Sequence, residues 1–135
     1  MNAKGPLITV ALYLRGDQLQ PHSISKLLGI DPSDSQEKGQ LSGKSNDFVA
    51  KIGIWSLKSQ TDSPVITDHV DEVLQMLRRS SIPLDQIEGV EEAYLDIFVA
   101  LDDEDDQGKT VEVMLSNTYT TALHRHGLGL QFTVT

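Results

Sequence analysis

The chain is predicted to be an α+β domain, a two-layer sandwich in which helices cover one face of a mostly antiparallel five-stranded sheet, in the order β-α-β-α-β-β-α-β. Three observations predict it: five stretches alternate apolar and polar residues, three others repeat apolar residues at helical spacing, and the first and last strands are polar on their second face. With 135 residues, 39% hydrophobic and 23% charged, residues 1–135 are expected to form one soluble domain. A chain of that size buries somewhat under ~70% of its unfolded surface, enough for a core without disulfides or metals.

The first strand is read from Ile8, Val10, Leu12 and Leu14, which alternate with Thr9, Ala11, Tyr13 and Arg15. Gly16 and Asp17 turn the chain, and Pro21 suits the first position of a helix. Its apolar stripe is Ile24, Leu27 and Leu28, and Gly29 supplies a left-handed stop. From Asp31 to Asp47, Ser, Gly, Gln and charged residues lack periodicity and read as a long loop. Alternation returns from Phe48 to Leu57 as a second strand, apolar on both faces. Thr67 or Asp68 then caps a helix carrying Val70, Val73, Leu74 and Leu77, with Arg78 and Arg79 expected in its last turn.

Pro83 to Val90 can add a helical turn. Leu95, Ile97, Val99 and Leu101 form a third strand, and Val111, Val113 and Leu115 a fourth. The Asp- and Gly-rich link between those two reads as a hairpin. Asn117 caps a short helix through Ala122, Leu123 and His126, closed at Gly127, and Leu128, Leu130, Phe132 and Val134 make the last strand.

Charge gives the sharpest functional hint. From Ser80 to Gly108 there are ten acidic residues and no Lys or Arg, while the rest of the chain carries ten acids against eleven bases. A segment of about −10 beside a body of about +1 is a surface able to select a basic partner. The net charge of −9 argues against nucleic acid, whose phosphates draw affinity from clustered Lys and Arg. Apolar runs shorter than the ~20 residues of a membrane span, and no signal-peptide pattern, lead to the expectation of a cytoplasmic protein.

Reactive chemistry finds little support. No cysteine is present, which removes thiolate catalysis and Cys-ligated metals, and no nucleophile elbow, P-loop, H-E-x-x-H or G-x-G-x-x-G occurs. The expectation is therefore a non-enzyme with no cofactor and no metal. The run Asp102 to Asp106 lacks the glycine and distal glutamate of a calcium loop. His124 and His126, two apart on a helix, diverge rather than converge on a metal. A hydrolase would need two or more of Asp96, Asp102, Asp103 and Glu112 to meet. Trp55, the only tryptophan, reads as a packing anchor.

One ordered set of residues carries a resemblance: Arg15-Gly16-Asp17, Pro21, Ile24, Leu27-Leu28-Gly29-Ile30, Pro32, Lys38-Gly39 and Trp55-Ser56-Leu57. From Ile8 to about Leu77 the chain resembles the bacterial domain-of-unknown-function family numbered four-two-seven-nine. The stretch from Gln40 to Asp47 and the acidic link have no counterpart in that pattern. The resemblance implies a small bacterial cytoplasmic protein with no catalytic residue to carry over, and suggests an immunity role in toxin systems for some members.

The function expected is thus a protein-binding domain, in its concrete form an immunity protein that docks an acidic surface on a basic toxin. Its electrostatic part is assigned to Glu91, Glu92, Asp102, Asp103, Glu104, Asp105 and Asp106, and its apolar anchors to Tyr94 and Phe98. The rival expectation is a module binding a small molecule or peptide in a groove lined by Trp55.

Overall fold

A computed structural model describes residues 7–43, 47–101 and 110–135. Strand β1 (Leu7–Gly16) leads to helix α1 (Pro21–Leu28), the short strands β2 (Asp34–Gln36), β3 (Leu41–Ser42) and β4 (Phe48–Val49), and strand β5 (Gly53–Lys58). Helix α2 (Ile66–Leu77), a 3-10 turn (Leu84–Gln86), strand β6 (Glu92–Ala100), helix α3 (Asn117–Arg125) and strand β7 (Gly129–Val134) complete the order. The main sheet runs β2-β5-β1-β6-β7, and β3 pairs with β4 in a separate two-stranded sheet. Neighbours are antiparallel except β6 and β7, which are parallel.

The α+β class and the five-strand count hold, but the sheet is mixed and its fifth strand is a different one. Residues 110–116 form no strand, so the expected hairpin across the acidic link is replaced by a crossover. A parallel neighbour cannot be reached by a tight turn, and the chain after β6 travels through α3 before β7 lies down beside it. Val113 and Leu115 consequently pack against the core instead of pairing with β6. The fifth strand is β2, inside the polar stretch read as a loop, where Asp34, Ser35 and Gln36 pair with Ser56, Trp55 and Ile54. The run Phe48–Leu57 is divided, because Ala50–Ile52 leave the extended ladder between β4 and β5.

One face of the sheet is covered. Val10, Leu12 and Leu14 of β1, Trp55 and Leu57 of β5, and Leu95, Ile97 and Val99 of β6 join Ile24 of α1, Val70, Val73 and Leu77 of α2, and Leu123 of α3 in one apolar cluster. Each such side chain contributes about 1.5–3 kcal/mol on burial. Trp55 donates its Nε1 hydrogen to Ser25 Oγ at 3.0 Å, fastening α1 to β5. As expected, Gly29 closes α1 at φ 68°, its amide bonded to Ser25 O at 2.8 Å.

Two helix boundaries differ from expectation by a residue or two. Helix α2 starts at Ile66, so Asp68 falls inside its first turn and accepts from Ser63 Oγ, while Arg78 is the closing residue and Arg79 lies beyond it. Helix α3 is preceded by Ser116, not capped by Asn117.

A buried polar chain ties β1, the end of β5 and α2 together. The Val10 amide donates to Ser59 Oγ at 3.0 Å, and Ser59 Oγ lies 2.7 Å from His69 Nδ1. His69 Nε2 faces Ser63 O at 2.8 Å, which makes Nε2 the protonated nitrogen and Nδ1 the acceptor of the serine proton.

Candidate functional site: the open face of the sheet

Strands alternate their side chains, so the residues between those of the core stand on the opposite face, which no helix of the apolar cluster covers. Register aligns them in rows. Tyr94, Tyr13, Ser56 and Asp34 run across β6, β1, β5 and β2. On one side of that row lie Asp96, Ala11 and Lys58, followed by Phe98 and Thr9; on the other lie Glu92, Arg15, Ile54 and Gln36. The Tyr13 and Tyr94 rings are tilted by 30° with centroids 5.5 Å apart, within the range of favourable aromatic pairs.

Asp96 lies 8% exposed among these rings and accepts from Thr133 Oγ1 of β7 at 2.9 Å. A hollow of about 290 Å³ opens over Thr9, Ala11, Tyr13, Lys58, Asp96 and Phe98. Burial pushes the Tyr13 phenol above its ordinary pKa, and the negative charge of Asp96, the neighbouring Tyr94 and the charge of Asp34 push it the same way. The potential at that phenol is therefore negative, favouring a positive group placed there.

The residues proposed from sequence separate into three groups. Glu92, Tyr94 and Phe98 share the open face, with Glu92 3.9 Å from Arg15. Glu91 is engaged elsewhere: its Oε2 accepts from the Asp17 amide at 2.6 Å and its own amide donates to Arg15 O, so it locks a turn. Asp102, Asp103, Glu104, Asp105 and Asp106 lie outside the described residues. Trp55 is fully buried on the helix side, so the groove it was to line is not formed around it. Tyr13 and Lys58 were not singled out, because their placement beside β6 depends on strand register; Asp96, named only as a possible hydrolase ligand, stands between Tyr94 and Phe98 by strand alternation alone.

Other features carry less chemistry. Ser59 and His69 have the contact of a nucleophile and its base, but the serine is 8% and the histidine 1% exposed, and the pair serves the backbone of β1. Among the described residues no group of three or more His, Asp or Glu is placed to hold a metal ion. A cleft of about 680 Å³ between α1 and the β2 region is lined by residues such as His22, Lys26, Gln36 and Glu37 together with Pro21 and Pro32. Arg78 and Arg125 flank another, of about 470 Å³, beside His126; both arginines close helices, where cations offset the dipole without a ligand.

These features define an α+β protein whose sheet has one helix-covered and one open face. Residues 6–135 match the model of the family described as Domain of unknown function (DUF4279), and the chain belongs to that family. No curated protein and no solved structure matches the chain significantly. Among the described residues no helix is long and apolar enough to cross a membrane.

Proposed function

We propose that this is a protein-binding domain that receives a basic segment of its partner on the open face of the sheet, the immunity protein of a basic toxin being the concrete case. The observation that carries the reading is the Tyr13 and Tyr94 pair in the negative potential of Asp96 and Asp34. Tyrosine faces attract Lys and Arg through the ring quadrupole, and a carboxylate held nearly out of water adds a charge-assisted acceptor. Phe98 supplies apolar contact beside them. Glu92, 3.9 Å from Arg15, extends the acidic border.

Titration calorimetry of the chain with a basic protein, one encoded beside it being the first choice, tests the reading. Asp96→Asn and Tyr94→Ala are each expected to weaken binding about tenfold or more, the range of central interface residues. Wild-type affinity should also fall as salt is raised. Binding that ignores both substitutions, or absence of binding to the basic partner, would remove the proposal.

A further inference from the structure

We infer that β7 is the docking edge for a second copy of this chain, paired antiparallel to its own counterpart with the twofold axis at Phe132. The two edges of the sheet are built differently. β2 has three residues, carries Asp34 and follows Pro32, which are common devices against edge pairing. β7 has six residues, Gly-Leu-Gln-Phe-Thr-Val, with no charge and no proline.

The backbone of β7 fixes which groups have no partner among the described residues. Thr135 donates to Val99 O at 3.0 Å and accepts from the Leu101 amide at 2.8 Å, so both its polar groups turn toward β6. With a period of two, Gln131 and Thr133 do the same, while the amides and carbonyls of Leu130, Phe132 and Val134 point away from the sheet. The same three residues expose apolar side chains, at 39%, 50% and 51%. Their cross-strand partners Leu95, Ile97 and Val99 are in the core, so these side chains lie on the helix side of the sheet.

A second copy is the occupant that satisfies both sets of groups at once. Antiparallel pairing centred on Phe132 sets it opposite Phe132 of the second copy, and Leu130 opposite Val134, each as a doubly hydrogen-bonded pair. The axis stands perpendicular to the sheet, so both helix layers stay on one side and six exposed apolar side chains gather there. Parallel pairing about an axis along the strands would turn those side chains to opposite faces.

Sedimentation of the intact chain from about 1 to 200 μM should show a monomer–dimer equilibrium. Phe132→Lys, at a position half-exposed in the monomer, should weaken it at least tenfold with an unchanged circular dichroism spectrum. The absence of native cysteine allows a second, register-specific test. Gln131 faces Thr133 of the second copy in a non-hydrogen-bonded pair about 4.5 Å apart between Cα atoms, within disulfide reach. Mixed Gln131→Cys and Thr133→Cys proteins should therefore cross-link under mild oxidation much faster than either alone. A chain that stays monomeric throughout the range, a dimer indifferent to Phe132→Lys, or cross-linking no faster in the mixture would each overturn the inference.

Discussion

Burial acts in opposite directions on Tyr13 and His126, because one becomes negative on titration and the other positive. His126 is held below its ordinary pKa first by burial and then by the positive charge of Arg125. The unfolded chain therefore takes up a proton at this position more readily than the folded one. Its contribution to stability is complete above about pH 6.5 and is lost as pH falls below that value. Urea midpoints between pH 7.5 and 5.5 should drop less in His126→Gln than in the wild type. Tyr13 has the opposite sign: its folded pKa is raised, so the favourable contribution of the neutral phenol is present below about pH 10 and lost as pH rises beyond it. Asp96→Asn should lower the pH at which this phenol ionises, read by ultraviolet absorbance. His69 is buried with both ring nitrogens engaged. Replacing it with Ala strands the Ser59 hydroxyl and Ser63 carbonyl and opens a cavity, expected to destabilise by about 2–4 kcal/mol in urea unfolding. Its role was hidden in the sequence, where one histidine on an apolar helix gives no sign of the serine facing it from another element.

Elements whose own side chains supply their burial were legible. β1, α1, α2 and β6 each present apolar residues at the period of their backbone, and Pro21 and Gly29 bracket α1 where propensity places them. β2 was not legible, since Asp-Ser-Gln has no strand pattern and is extended because the edge of β5 offers its backbone partners. The converse failure is Val111–Leu115, which alternates like a strand but lies in a crossover, its alternation satisfied by packing Val113 and Leu115 on the core. For the site, Tyr94, Phe98 and Glu92 could be placed on one face by counting in twos. Asp96 stands between Tyr94 and Phe98 by the same count, whereas Tyr13 joins them only through a register that composition does not encode. Close approach between elements gives another prediction. A Cβ on Gly16, at the end of β1, would collide with the carbonyl of Gly89, whose own φ of 88° brings the loop before β6 against Gln18. Backbone cannot step aside as a flexible side chain can, so Gly16→Ala should lower stability by roughly 2–4 kcal/mol, measured by chemical denaturation.

Across the whole molecule, the strand order separates sequence neighbours. β1 lies between β5 and β6, and β7 reaches its place only after the crossover through α3. Long-range pairings must form before the core rewards them, so refolding should take milliseconds to seconds. Trp55, the only tryptophan and fully buried in the folded state, reports this directly in stopped-flow fluorescence. Leu12→Ala on the central strand should shift the equilibrium by about 2–5 kcal/mol. On the proposed reading, the two-faced sheet keeps stability and recognition apart: helices take one side, leaving Tyr13, Tyr94 and Phe98 available without drawing on the core.

The central position of β1 has a cost during synthesis. This strand leaves the ribosome before either of the strands that flank it, and at ~5–20 residues per second its most apolar side waits for seconds with nothing to lie against. A nascent chain arrested after α1 would display Val10, Leu12 and Leu14 to solvent, which makes this early interval the point at which chaperone capture has most to act on.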